Sequence, residues 1–430
     1  CVEVVPHIPL EIIGRIEKAA KQEDAEVAIT EIGGTIGEYQ NILFLEAARM
    51  LKTKYPDDVL FVLVSYVPFP NKVGEMKTKP TQYASRTLNA AGIQADIVVA
   101  RSEVPMDEKR KEKISWSCSV DKNSVISAPD VESIYHVPLN FEKDNLSNIV
   151  LKKLGLKARK RNLDDWKKFT NKIDTAKKSV KIGIVGKYFE TGDFVLSDAY
   201  ISVIEALKHA SYQNGCKPEL AWLDSSVYEK NKSKLKDLQE YDGIVVPGGF
   251  GSRGIEGMIN VAGYCRENKI PYFGLCYGMQ IAVIEFARNV AGIGDAQTAE
   301  IDESAQNCVI DIMPEQKEKL KKRDFGGSMR LGSYPAKIVA GSIARSAYKK
   351  AEVSERHRHR YEVNPEYIER LENAGLVFSG KSPDGILMEI AELSKKVHPF
   401  YLATQFHPEF QSTPLTPHPL FDAFIKASKK

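Results

Sequence analysis

Long apolar runs are missing from this chain. No stretch approaches the roughly 18 residues needed to cross a bilayer, so no membrane association is expected. Charge of one sign is also scarce: a formal net charge of +3 over 430 residues gives no long-range pull toward DNA, RNA or anionic lipid. The six cysteines, at positions 1, 118, 216, 265, 276 and 308, form no C-x-x-C pair and keep no regular spacing. That pattern argues against a disulfide framework or a zinc site and fits a reducing, cytoplasmic setting. The first residues lack the basic-then-apolar pattern of a secretory signal. No repeat at solenoid periods is visible, and a G-x-x-x-x-G-K-[ST] phosphate loop is nowhere in the sequence.

What is present reads as an ordinary globular protein, with 43% hydrophobic and 27% charged residues. The length suggests two or three domains of about 100 to 200 residues. The opening CVEVVPHIPLEI looks strand-like and starts at Cys1 with no initiator Met, so the natural N-terminus is expected upstream. Residues 1–150 then alternate strand and helix patterns: AEVAITEIGGTIGE, NILFLEAARMLKTKY, DVLFVLVSYVPF, QYASRTLNAAGI and ADIVVARSE. Residues 151–180 turn strongly basic and are expected to form a solvated linking helix. The cycle restarts over 181–430 with VKIGIVGKY, YISVIEALKHASYQNG and DGIVVPGGFGSRG. The expected fold is α/β, with two domains that each carry a mostly parallel sheet flanked by helices.

The most informative string is IPYFGLCYGMQ, an apolar strand, a Gly274-Leu275-Cys276-Tyr277-Gly278 turn and a helical run. This is the form of a nucleophile elbow. A thiol at a helix N-terminus is biased toward thiolate. A thiolate attacking an amide needs oxyanion donors, and the backbone N–H groups of Tyr277 and of Gly249, in VVPGGFGSRG, are the candidates. Downstream, TQFHPEF sets His407 and Glu409 two residues apart in what reads as an extended segment, where both face one side. Cys276, His407 and Glu409 then form a nucleophile, a base and its orienter. Singly, a buried cysteine is commonly inert and glycines after a strand commonly make turns. The combination points to catalysis.

With those strings in view, residues 180–428 resemble class I glutamine amidotransferases, which release ammonia from glutamine through a glutamyl thioester. The wording VPGGFGSRGIEGM, GGSMRLGSYPAK, SERHRHRYEVN, FSGKSPDG and ATQFHPEFQSTP is similar to the CTP synthase family. The resemblance implies that glutamine is held by Gly249, Tyr277, Gly278, Met279, Gln280, Glu300 and Arg360. Their chemistry agrees: a guanidinium pairs with a carboxylate, and a carboxylate accepts from an ammonium.

In the first half Glu31 ends an apolar run before Gly33, Gly34 and Gly37, and KTKPTQ offers ammonium groups and hydroxyls around Pro80. EIGGTIG, GEMKTKPTQ, EKIS and VPHI resemble the amidoligase part of the same family. That implies UTP and CTP subsites lined by Lys77, Thr78, Lys79, Pro80, Thr81, Gln82 and Lys113, with Mg²⁺ on Glu31. Where the family has an Asp-Ile-Glu triplet that contacts CTP as feedback inhibitor, this chain has Glu38, Tyr39 and Gln40, so altered inhibition is expected. The resemblance further implies ATP as co-substrate, GTP as allosteric activator, a homotetramer able to form filaments, and a phosphate-loop segment preceding VPHI. Two rival readings remain at this point: another glutamine-dependent synthetase with the same glutaminase module, or a non-catalytic nucleotide-binding assembly subunit.

Overall fold

The computed structural model describes residues 3–429 apart from 71, 73, 160–161, 188–189, 192–193, 196–199 and 313–328. Cys1 and the GGS of GGSMRLGSYPAK lie outside the described residues. The chain divides into two compact units, Cys1–Leu163 and Asp164–Lys430.

In the first unit β1 (Val62–Tyr66), β2 (Ile97–Ser102) and β3 (Val125–Pro129) form a parallel sheet in that order. The crossovers are the helices Lys79–Ala90 and Glu108–Cys118, as parallel neighbours require. The apolar run of β2 feeds two cores. Val98 and Ala100 enter one and Ile97 and Val99 the other, because successive side chains point to opposite faces.

Three expectations are corrected. The strand-like opening is part of a helix, Val4–Gln22. Pro9, Ile13, Ile16 and Ala20 recur at helical spacing and supply its less exposed face, and Glu17 accepts hydrogen bonds from Lys54 and Tyr55 of the neighbouring segment. The run AEVAIT forms no strand. A strand exists only through pairing, none of the described strands pairs with it, and Val27 and Ile29 are exposed. The basic stretch 151–180 is no single solvated helix: Leu146–Lys153 ends within it and Asp164–Thr175 begins anew. The latter buries Phe169, Thr170 and Ile173, with the Phe169 ring edge-on to Tyr212 at 6.2 Å. The lysines mask an amphipathic stripe.

The second unit is built on a larger sheet. In chain order its strands are β4 (Lys178–Gly186), the short pair β5 (Glu190–Thr191) and β6 (Phe194–Val195), β7 (Cys216–Asp224), β8 (Gly243–Val246) and β9 (Tyr272–Leu275). Then come β10 (Gln297–Thr298), β11 (Cys308–Ile312), β12 (Arg330–Ile338), β13 (Glu352–His359), β14 (Tyr361–Val363), β15 (Leu376–Lys381), β16 (Met388–Leu393) and β17 (Tyr401–Thr404). The main sheet runs β13-β12-β15-β16-β17-β9-β8-β4-β7. From β17 to β7 the neighbours are parallel, and from β13 to β17 they are antiparallel.

Adjacent residues of β9 anchor opposite faces. Tyr272 stacks on Tyr401 at 4.6 Å, while Phe273 meets Phe400, Phe421 and Phe424. Helices Ile255–Asn268 and Tyr277–Asn289 cover the first face; Ile201–Gln213 and Pro419–Ser428 cover the second. Ligands of open α/β sheets gather at the carboxyl ends of parallel strands, and here the ends of β4, β8, β9 and β17 lie side by side. Among the described residues no helix is long and apolar enough to cross a membrane.

Phe273 is fully buried at the centre of that second face. Phe273→Ala should cost about 3–5 kcal/mol, read as a lowered urea midpoint of the second unit. A loss under about 1 kcal/mol would contradict this account of the core.

Candidate active site

The carboxyl end of β9 is where the chain is most constrained. Cys276 has φ 51° and ψ −98°, a conformation an L-residue avoids at a cost of order 1–3 kcal/mol. Its neighbours leave little choice. A Cβ on Gly278 would lie 2.1 Å from Val246 O, and one on Gly274 would lie 2.6 Å from Gly278 O. Tyr272 Oη donates to Gly278 O at 2.9 Å, and Cys276 N donates to Thr404 O at 2.6 Å. The elbow is thereby pinned between β8 and β17, and the helix Tyr277–Asn289 starts at the next residue.

His407 and Glu409 meet by a different route from the one expected. His407 caps a 3₁₀ turn, Pro408–Gln411, that contains Glu409, and neither lies on a strand, since β17 ends at Thr404 and Pro408 occupies the first helical position. His407 N donates to Arg356 O at 2.8 Å, and its Nδ1 lies 2.7 Å from Glu409 Oε1. The imidazole also lies in the electrostatic field of the Cys276 side chain. Burial opposes charge on this ring, yet the negative sulfur and the Glu409 carboxylate outweigh it and raise its pKa from 6.5 to about 11. These neighbours favour the imidazolium form of the ring. Gln405 Nε2 adds a donor 3.7 Å from Cys276 Sγ.

The glycine loop after β8 closes the other side. A Cβ on Gly248 would lie 2.8 Å from His407 Cε1 and 3.7 Å from Cys276 Cβ, and one on Gly249 would lie 3.9 Å from Tyr277 Cδ1. Gly251 N donates to Glu300 Oε1 at 2.7 Å, and Tyr277 Oη donates to Gly251 O at 2.8 Å. Burial raises the Glu300 pKa, offset by the Gly251 N–H, Lys187 and Arg360, so Arg360 and Glu300 share one electrostatic field. Gly249, Tyr277, Glu300 and Arg360 thus gather around this loop. Gln280 is buried, with Nε2 donating to Tyr361 O at 3.1 Å and Oε1 without a partner. Met279 packs into the core, which leaves its backbone as the part able to face a ligand.

Sequence reasoning missed Gln405 and Lys187. The last follows the glycine that closes β4, and a strand-end VGKY adjoining the PGG loop was the available signal.

In the first unit Thr78, Thr81 and Gln82 are buried, and they brace one another and the sheet: Ser65 Oγ donates to Thr81 Oγ1 at 2.9 Å and Gln82 Nε2 to Thr78 Oγ1 at 3.0 Å. Lys79 and Pro80 are exposed at the start of the helix Lys79–Ala90, while Lys77 pairs with Glu75 at 2.9 Å. The Glu75 pKa is lowered by Lys77 and further by Arg110 and Lys113, which puts the exposed Lys113 in the field of this segment. Glu31 is exposed in the unpaired segment, and Glu38, Tyr39 and Gln40 are exposed at a turn. Among the described residues no group of three or more His, Cys, Asp or Glu could hold a metal ion.

A thiol elbow beside a His–Glu pair and a glycine loop at parallel strand ends defines a cysteine amidotransferase, and residues 195–427 match the family described as glutamine amidotransferase class-I. The solved Trypanosoma brucei CTPS glutaminase domain with bound acivicin superposes with a TM-score of 0.54 at 39% identity, covering 58% of this chain and 94% of that one. Residues 1–156 match the CTP synthase N-terminus. A CTP synthase of Carboxydothermus hydrogenoformans is 51% identical over 430 residues, spanning 100% of this chain and 78% of the relative. One of Methanocaldococcus jannaschii is 48% identical over 433 residues, spanning 99% of this chain and 78% of the relative. The chain belongs to the CTP synthase family.

Because Gly248 leaves no room beside His407, Gly248→Ala should lower kcat/KM for glutamine by about 100-fold or more, measured as glutamate release. A change under about threefold would show that the ring is not held there.

Proposed function

We propose that the chain is a glutamine-hydrolysing CTP synthase, in which ATP activates UTP and ammonia from glutamine displaces the phosphate to give CTP. The observation that carries the reading is the grouping of Cys276, His407 and Glu409 at the strand ends, with His407 Nδ1 2.7 Å from Glu409 Oε1 and Gly248 packed against both His407 and Cys276. Cys276 Sγ attacks the glutamine amide carbon, and His407 delivers its proton to the departing ammonia. Gly249 and Tyr277 N–H groups receive the oxyanion. Glu300 takes the substrate ammonium and Arg360 its carboxylate, with Gly278, Met279 and Gln280 shaping the pocket behind the thiol. Water then resolves the thioester with His407 as base.

In the amidoligase unit, spanning 1–150 in this reading with 151–180 as linker and 181–430 as glutaminase, the cations of Lys77, Lys79 and Lys113 meet the triphosphate of UTP or CTP. Thr78, Pro80, Thr81 and Gln82 line the same subsite at the start of the helix Lys79–Ala90. The exposed Glu31 carboxylate suits Mg²⁺ held mainly by phosphates and water, since that ion is commonly bound through one or two carboxylates plus substrate. Bound there, the ion offsets charge on the transferred phosphoryl group. Glu38, Tyr39 and Gln40 face the inhibitor CTP, GTP activates the glutaminase, and the working form is a cytoplasmic homotetramer able to form filaments.

Cys276→Ala should reduce glutamate release by at least about 10³-fold while ammonium-driven conversion of UTP to CTP stays within about twofold. Retained glutaminase activity would reject Cys276 as nucleophile.

A further inference from the structure

Lys187 is buried, and the mechanism above leaves it unused. An ammonium out of water needs compensation, and here it comes from backbone and ring rather than from a carboxylate in contact. Nζ donates to Phe250 O at 3.2 Å and to Gly251 O, and it lies 4.3 Å from the centre of the Tyr277 ring. Gly251, at φ +80°, is therefore held at its carbonyl by Lys187 and Tyr277 and at its N–H by Glu300. Gly248, Gly249 and Gly251 carry no side chains of their own to fix this loop, and glycine is the residue with most conformational freedom to lose. Oxyanion donors act only when they are held in place before the charge develops.

We propose that Lys187 is a positioning residue that locks the Gly248–Gly251 loop, so that the Gly249 N–H is aimed with that of Tyr277 at the oxyanion of glutamine hydrolysis. The inference rests on the proposed oxyanion hole. A role as ligand of the substrate carboxylate is less well supported, because Nζ is already engaged with two carbonyls. The groups facing the ammonium are the Glu300 carboxylate and the Tyr277 ring and hydroxyl. Burial lowers the Lys187 pKa from 10.5 to about 8, with Glu300 opposing, so the charge is present below that pH and lost above it. The clamp weakens in the same direction. His407, raised to about 11, does not titrate in this range.

The test uses Lys187→Met and Lys187→Arg, with glutamate release and iodoacetamide alkylation of Cys276 measured side by side across pH. Alkylation needs the reactive thiol but forms no oxyanion. Lys187→Met should lower kcat by about 100-fold, change KM by less than about threefold, and leave the alkylation rate within about twofold. Lys187→Arg should recover kcat to within about tenfold and displace to higher pH the alkaline fall expected of the wild type near 8. An unchanged kcat in Lys187→Met, an equal loss of alkylation, or an unmoved alkaline limb in Lys187→Arg each overturns the proposal. Failure to alkylate Cys276 in the wild-type protein would instead reject the nucleophile assignment itself.

Discussion

Everything in the second unit is arranged around one strained residue, Cys276, held at φ 51° between a strand and a helix. The constraint is steric before it is chemical. Gly278 must pass against Val246 O and Gly274 against Gly278 O, so β8, β9 and the following helix close on one another with no space for a side chain at either glycine. The same closeness brings the loop after β8 beside the thiol, while the Cys276 N bond to Thr404 O ties in β17 and the His407 that follows it. Core packing, with Phe273 and Tyr272 anchoring opposite faces of β9, supplies the stability against which the strained turn is held.

The charges of the site follow from the same burial. Low dielectric pushes Lys187 and His407 toward neutrality and Glu300 toward its protonated form. His407 alone of these is carried the other way, because Cys276 and the hydrogen-bonded Glu409 carboxylate both favour its charged form. A ring held as imidazolium beside the elbow has a proton to give rather than to take. Glu300 and Lys187 are balanced less strongly, each opposing the other's shift.

Local features were legible in the sequence and tertiary ones less so. IPYFGLCYGMQ announced the elbow because strand, turn glycines and helix are contiguous. The His407–Glu409 pairing was legible as an i, i+2 relation, although the backbone that creates it is a turn and not a strand. AEVAIT misled because apolar, β-branched residues were read as a strand without asking which neighbour would pair with them. The basic stretch hid Phe169 and Ile173 under lysines. Lys187 was invisible for a different reason: its role depends on Phe250, Gly251 and Tyr277, brought to it by the adjacency of β4, β8 and β9. The family resemblance rested on whole strings of residues, and the relatives at 48–51% identity across the chain show the family.

The central claim is that glutamine is opened by one sulfur, and trapping that sulfur tests it most directly. Acid quenching of the protein during turnover with glutamine, followed by peptide mass spectrometry, should find a glutamyl adduct on the peptide carrying Cys276. The peptides of Cys1, Cys118, Cys216, Cys265 and Cys308 should be unmodified. Glutamate formation with the adduct on any of those five, or on none, would contradict the account.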